Sequence, residues 1–210
     1  MRNVKESGVP LSGGTMSGAL DMGSNAITNV SSLGLDPYTV AFEVEAGAAT
    51  LGPTAPSLAL CFGTTASGLA FDADAEKAFL QFEIPDAWNG ASDMTLKIYW
   101  SNEAGSAIAN TETVKFRIAY RSVVWGTENT GNGTAATADV TYTQSGAGAD
   151  GDSHISTITI PYSDANQPLT AGDDLCIRFD RHFSADTYAN DAVVTKWEVE
   201  MTLVGIPNHY

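Results

Sequence analysis

Apolar and polar side chains alternate along several short stretches of this chain. The clearest stretches are 94–100, 114–120, 157–160, 175–180 and 197–203, in which every second residue is apolar. Because successive side chains of a β-strand point to opposite faces, a period of two predicts strands with one buried face. The residues expected to face the core are Leu96, Ile98, Trp100, Phe116, Ile118, Ile177, Phe179, Trp197, Val199 and Met201.

Weaker strand signals bring the expected number of strands to eight or nine. They lie at residues 40–44, 58–62, 78–84 and 137–143, and no segment shows a convincing helical period. Clean alternation is typical of antiparallel sheets with one face in solvent, and this many strands require either closure or two packed sheets. The sequence therefore predicts an all-β fold, an antiparallel β-sandwich of jelly-roll type, in a domain spanning 36–210.

Residues 11–35 follow a different pattern, with a few regularly spaced large apolar residues between glycines. So sparse a set cannot form a core within one chain, because ordering each residue costs about 1–2 kcal/mol. Wrapping identical copies around a shared axis would bury these side chains, which favours an obligate oligomer over a flexible Gly/Ser linker. The residues expected at that interface are Met16, Leu20, Met22, Ile27, Val30 and Leu33.

The spacing G-G-x-M-x-G-x-L-x-M-x-x-N-x-I-x-N, from Gly13 to Asn29, resembles a short element of tail fibres and related virion proteins of tailed bacteriophages. In those proteins the element usually lies in homotrimers, just before a β-rich domain. The strand segments K-I-Y-W at 97–100 and R-F-D-R at 178–181 are also similar, in broad outline, to sandwich domains of phage head and fibre proteins. The resemblance implies a homotrimer and a structural role in the virion.

Residues 1–10 are polar, end at Pro10 and are interpreted as a docking arm without a core of its own. A short arm suits many copies docking on a repeated lattice, whereas a tail fibre usually carries a sizeable adaptor domain. We therefore expect a capsid decoration or cement protein on the virion surface, bound to the major capsid protein and assembled in the host cytoplasm. The alternative is a short tail fibre or spike whose sandwich binds a host receptor. The expected capsid-docking residues are Arg2, Val4, Lys5, Val9 and Leu11.

The charge of the chain limits its partners. Its formal net charge is −15, from ten Lys and Arg residues and 25 Asp and Glu residues. Nucleic acid and anionic membranes are therefore not expected as partners, because both are bound through Lys and Arg.

No apolar run reaches the ~18 residues of a membrane-spanning helix, and no signal peptide is recognisable. In a reducing cytoplasm, Cys61 and Cys176 are expected to be small buried residues, which is simpler than a disulfide.

Residues that could carry catalysis give no specific signal. His154, His182 and His209 are far apart and lack a metal-ligand spacing, and no G-x-S-x-G motif marks a nucleophile. We therefore predict that the chain is not an enzyme and needs no cofactor.

Two acidic segments, Asp72-x-Asp74-x-Glu76 and Asp150-Gly-Asp152, are expected to be solvated or to cap loops. A Ca²⁺ site and a glycosidase-type acid/base pair are the alternatives.

A long polar tract at 126–153 is rich in Gly, Asn and Thr and follows Trp125. It is expected to be an inert exposed tip, or else a glycan-binding surface with Trp125 as a stacking platform.

Four charges near a predicted strand end are expected to form exposed ion pairs with a structural or subunit-contact role. These are Arg178, Asp180, Arg181 and Asp186.

Overall fold

The computed structural model describes residues 37–62, 65–126 and 135–204. The predicted docking arm (1–10) and trimerisation element (11–35) lie outside these residues, so both remain predictions.

The described residues form eleven β-strands and two 3₁₀ helices of one turn each. None of these helices has the length and apolar character needed to span a bilayer. The strands are β1 (Tyr38–Glu45), β2 (Thr50–Leu51), β3 (Ser57–Cys61), β4 (Ala66–Phe71), β5 (Ala78–Glu83), β6 (Met94–Asn102), β7 (Thr113–Val123), β8 (Ala136–Thr143), β9 (Ser153–Ile160), β10 (Asp174–Arg181) and β11 (Ala192–Leu203), and the 3₁₀ helices are Ala46–Ala48 and Phe183–Ala185.

The strands pair into two antiparallel sheets. One sheet has the order β3-β4-β11-β6-β9, with β1 paired to β11 at Lys196–Leu203, beyond the part of β11 that pairs with β4. The other sheet has the order β2-β5-β10-β7-β8. From β4 to β11 the two sheets therefore contain β4-β11-β6-β9 and β5-β10-β7-β8, the arrangement of a jelly roll. This confirms the prediction of an all-β antiparallel sandwich.

The inward faces of the two sheets meet in one apolar core. Trp100 of β6 packs edge-on against Phe116 of β7, with ring centroids 5.3 Å apart, and Phe179 of β10 packs in the same way on Trp197 of β11 at 5.2 Å. Edge-to-face pairs of this kind add about 0.5–1.5 kcal/mol to the free energy gained by burying the rings. All ten residues that the alternation predicted to face the core expose at most 2% of their surface.

The sequence does not predict β2 or β4. Strand β4 contains Ala66, Gly68 and Ala70, whose small side chains give no alternation of large apolar residues. Gly68 is required by packing, because a Cβ atom there would lie 2.3 Å from the backbone oxygen of Val194 on β11. The strand is therefore specified by a close backbone approach that a hydrophobicity pattern does not reveal.

Candidate functional site

The outer face of the five-stranded sheet carries two adjacent rows of side chains. Along β5, β7 and β10, the residues that do not face the core alternate with those that do, as in any strand with one buried side. The pairing register then sets which outward residues are neighbours. One row contains Phe79, Arg178 and Ala119, and the next row contains Gln81, Cys176 and Arg121.

These six residues line a groove, called here the outer groove, with a volume of about 630 Å³. That volume lies within the roughly 300–1,000 Å³ typical of small-molecule sites. Ala119 helps to form it, because a methyl group leaves space between longer neighbours. The lining also includes Val44, Ala48 and Thr50 from the region of β1 and β2, and Ala135 before β8.

A buried carboxylate beside the outer groove gathers three cations. Asp180 is fully buried, and its Oδ2 accepts hydrogen bonds from Nη2 and Nε of Arg117 at 2.6 and 3.0 Å. Its Oδ1 lies 3.4 Å from Nζ of Lys77 and 3.7 Å from Nε of Arg178. Asp180 therefore meets three positive charges, and a second carboxylate, Asp139 of β8, lies opposite Arg117 and pairs with Lys115 at 2.6 Å.

Basic residues are concentrated on this face, which also carries the carboxylates of Glu83, Asp139, Asp174 and Asp180. Of the ten Lys and Arg residues in the chain, two precede residue 37 and only three of the other eight lie away from this face. Among the described residues, none of the side chains lining the outer groove is acidic. The basic residues of the face are Lys77, Lys115, Arg117, Arg121 and Arg178.

Trp125 is anchored next to the outer groove. Its Nε1 donates a hydrogen bond to Oδ2 of Asp174, and the Gln81 side chain donates to the same oxygen at 2.8 Å. Trp125 nevertheless remains 71% exposed to solvent. An exposed aromatic ring held by one polar atom is a suitable surface for the apolar face of a sugar ring. The exposure of Trp125 is compatible both with the inert tip expected from the sequence and with the alternative of a stacking platform.

Cys176 lies in the outer groove and is partly exposed, so the prediction of a small buried residue is wrong for this position and holds only for Cys61. Cys176 points outward from β10, whereas the preceding residue, Leu175, points into the core. Burial of the sulfur, and secondarily the charge of Asp174, raise the pKa of the Cys176 thiol. A thiol with a raised pKa stays protonated at neutral pH and is a poor nucleophile.

The acidic segments act as backbone caps. The Glu76 carboxylate accepts hydrogen bonds from the backbone N–H groups of Asp72 and Ala73 at 2.7 and 3.1 Å, and Asp74 accepts one from Ser184. Burial raises the pKa of Glu76, whereas hydrogen bonding to Ser184 lowers that of Asp74. Asp150 and Asp152 likewise cap Gly105 and Ala149. Within the described residues, no three His, Cys, Asp or Glu side chains are placed to hold a metal ion.

The prediction that Arg178, Asp180, Arg181 and Asp186 form one exposed cluster of ion pairs is wrong. Asp180 and Arg181 are both fully buried, and consecutive residues of a strand point to opposite faces. Asp180 belongs to the outer face beside Arg178, whereas Arg181 forms a separate buried pair with Asp186. The four charges are close in sequence, which suggested one cluster, but the alternation of the strand puts Asp180 and Arg181 on opposite faces of the sheet.

The two described histidines lie apart and make no site together. His154 packs on Trp100 and Tyr142 at ring-centroid distances of 4.4 and 4.5 Å, and burial lowers its pKa. His182 precedes the second 3₁₀ helix, and His209 lies outside the described residues.

All the residues predicted for trimer contact and capsid docking lie before residue 37, outside the described part of the chain. The residues of the outer groove were not predicted as a site, because the sequence shows only that they face solvent. One signal was available. Lys115, Arg117 and Arg121 are two and four residues apart, and these even spacings direct all three basic side chains to the same side of one strand.

No family model matches the chain, and no curated protein matches it by sequence. Among solved structures, it is similar to an exo-β-1,3-galactanase from Phanerochaete chrysosporium with galactose, at 13% identity and a TM-score of 0.43. That alignment covers 76% of this chain but only 29% of the galactanase. The carbohydrate-binding module CBM36 in complex with calcium and xylotriose gives 16% identity and a TM-score of 0.39, over 75% of this chain and 98% of the module. Similarities of this size carry no conclusion about function, and the fold rests on this chain's own strand pairing.

Proposed function

We propose that the chain is a structural virion protein of a tailed phage, a homotrimeric capsid decoration or cement protein. Residues 1–10 dock on the major capsid protein, residues 11–35 hold three chains together, and the sandwich projects from the shell. The observation that carries this proposal is the fixed Gly, Met and Asn spacing from Gly13 to Asn29. The role consists of binding energy to a lattice and includes no chemical step.

The docking arm has the composition that a lattice contact needs. Arg2 and Lys5 supply positive charge in a chain of net charge −15, and Val9 and Leu11 supply apolar contact. Each contact is weak alone, but three arms in one trimer act together, because the first to bind raises the effective concentration of the other two.

The test adds purified protein to capsids of the same phage that lack it. A variant without residues 1–10 that keeps the Gly/Met element should remain trimeric and lose binding to the capsids. The double variant R2Q/K5Q should bind more weakly and with less dependence on salt, since exposed charges are screened over about 8–10 Å. The matched control K196Q removes a positive charge from the sandwich and should bind normally. Undiminished binding by the truncated variant would contradict the proposal.

A second candidate function is a short fibre or spike whose sandwich binds a receptor on the host surface. The observation that favours it is the outer groove, with its exposed Trp125 and its concentration of basic residues. Labelled trimers distinguish the two functions, because a fibre binds intact host cells whereas a decoration protein binds heads.

A further inference from the structure

We propose that the outer groove binds an acidic saccharide, with a sugar carboxylate held by Arg121 and Arg178 and a neighbouring sugar ring stacked on Trp125. This site goes beyond the proposed function, because it belongs to the sandwich and does not depend on where the N-terminal arm docks.

The lining of the outer groove combines the apolar and polar surfaces that a sugar presents. Phe79 and Ala119 offer apolar surface, while Gln81 and Thr50 offer an amide and a hydroxyl group. Sugars have the same mixed character, with C–H faces and a rim of hydroxyl groups. A site of about 630 Å³ is large enough for a short oligosaccharide and resembles small-molecule sites that pair apolar walls with a few polar groups.

The charges of the outer groove favour an acidic ligand. Arg178 of β10 lies opposite Ala119 of β7, so Arg121, two residues further along β7, is its diagonal neighbour. Diagonal neighbours in a sheet have Cα atoms about 7–8 Å apart, within reach of two long side chains that converge on one group. Arginine is suited to this task, because its planar guanidinium group donates two parallel hydrogen bonds to a carboxylate.

Asp180 neutralises Arg178 only in part. Its Oδ2 is occupied by Arg117, and its Oδ1 is shared between Nζ of Lys77 at 3.4 Å and Nε of Arg178 at 3.7 Å, a distance that makes an ion pair but no hydrogen bond. The side chain of Arg178 remains 43% exposed, so its guanidinium group is accessible from the groove.

The net charge of the whole chain limits how acidic the ligand can be. A protein with a net charge of −15 repels polyanions at long range, and this repulsion grows with the charge of the ligand. A saccharide with one carboxylate meets two arginines locally and little repulsion at a distance. Nucleic acids and polyphosphates meet far stronger repulsion.

Asp174 fixes the two groups that define one end of the site. Its Oδ2 accepts hydrogen bonds from both Gln81 and Trp125, so the amide and the indole are positioned before any ligand arrives. Preorganised side chains lose less conformational entropy on binding, which increases affinity without adding contacts.

The proposal is tested by isothermal titration calorimetry on the full chain with two matched pairs of oligosaccharides. The first pair is 3′-sialyllactose and lactose, and the second is glucuronosyl xylobiose and xylotriose. At least one acidic member should bind, and its neutral counterpart should bind at least about tenfold more weakly, the effect of losing a charge-assisted contact. Equal binding of acidic and neutral members, or no binding of either acidic one at millimolar concentration, would overturn the proposal.

Variants then locate the binding. R121Q should weaken binding about 10- to 100-fold by removing one charged donor, and A119L should abolish it by filling the groove without a change of charge. W125A should weaken binding of the acidic and neutral members alike. The control K196Q removes a positive charge elsewhere on the sandwich and should bind as the natural chain does. Unchanged affinity in both R121Q and A119L would overturn the proposal.

Two further measurements cover variants that fold poorly and separate this site from capsid docking. In ¹H–¹⁵N NMR spectra of the unaltered chain, the acidic saccharide should shift the backbone amides of Ala119, Cys176 and Arg178. Shifts confined to other parts of the sandwich would overturn the proposal. R121Q should bind undecorated capsids normally, so loss of saccharide binding and loss of docking are separate results.

Discussion

Arg181 is a fully buried cation whose guanidinium group has partners on every side. Nε and Nη2 donate to the two carboxylate oxygens of Asp186 at 2.8 and 3.1 Å, and Nη1 donates to the carbonyl oxygens of Phe71 and Asn190 at 2.9 and 2.6 Å. Nη2 also donates to the carbonyl oxygen of Tyr188. These bonds tie the end of β10 to β4 and to the segment before β11. The residue is therefore a structural cation whose partners are all internal.

Arg181→Met should lower the free energy of unfolding by about 3–5 kcal/mol, because it leaves the Asp186 carboxylate buried without its partner. The matched control is Lys196→Met, which removes a partly exposed pair with Glu43 and should cost about 0–1 kcal/mol. Urea unfolding curves of the two variants provide the comparison. Similar, small losses in both would show that the Arg181 network contributes little to stability.

His154 makes the stability of the sandwich depend on pH. Burial against Trp100 and Tyr142 lowers its pKa in the folded state, although the charge of Asp152 acts in the opposite direction. In the unfolded chain the pKa returns to about 6.5, so the unfolded state binds the proton more readily. The stability contributed by neutral His154 is therefore complete above pH 6.5 and is lost progressively as the pH falls below that value.

The variant His154→Gln should show a shallower loss of stability between pH 7 and pH 5 than the natural chain. All other titratable groups are common to both proteins, so the difference between the two stability curves reports the titration of His154 alone. Thermal unfolding across this range measures it, and NMR titration of the imidazole gives the folded-state pKa directly. Parallel curves, or a folded-state pKa above 6.5, would contradict the prediction.

At the scale of strands and sheets, prediction succeeded where large residues alternate. Strands β6, β7 and β11 were recognisable because Trp100, Phe116 and Trp197 recur with their apolar neighbours at every second position. Strand β4 was not recognisable, because its place between β3 and β11 depends on small residues and on Gly68. Alternation reports side-chain burial, and it cannot report how closely two backbones approach.

The outer groove shows a second limit of prediction at this scale. Each strand's outward residues were predictable, but the juxtaposition of Phe79, Arg121 and Arg178 depends on which strands pair and in what register. Those three residues are widely separated in the sequence, on β5, β7 and β10. Register is set by the packing of the whole sandwich, so the site could be recognised only once the sheet order was known.

Gly68→Ala should strongly destabilise the sandwich. The added Cβ atom would lie 2.3 Å from the backbone oxygen of Val194 and 2.9 Å from Cγ1 of Val193, so β4 and β11 would have to separate. Overpacking of this kind costs about 1–3 kcal/mol or more, because a backbone has less freedom to move than a side chain. Gly47→Ala is the matched control, since nothing lies within 4 Å of its added Cβ atom. Equal melting temperatures for the two variants would contradict the close approach of β4 and β11.

For the whole molecule, the described sandwich has a complete core of its own, whereas the apolar residues of segment 11–35 are expected to be buried only against other copies. The sandwich buries large side chains from both sheets, whereas Met16, Leu20 and Ile27 have too few apolar neighbours in sequence to form a core within one chain. Trimerisation is therefore expected to reside in residues 11–35. A triple variant M16S/L20S/I27S should weaken the trimer, and the control S12A/S17A/T28A should preserve it.

The mass of the protein in solution is the most direct test of this account. One chain has a mass of 22.0 kDa, so multi-angle light scattering at micromolar concentration should give three times that value for the full chain. Removal of residues 1–35 should reduce the measured mass to that of a single chain, since the segment expected to join the copies is gone. A mass of 22.0 kDa for the full chain would contradict the account, because neither the trimeric element nor three cooperating docking arms could then exist.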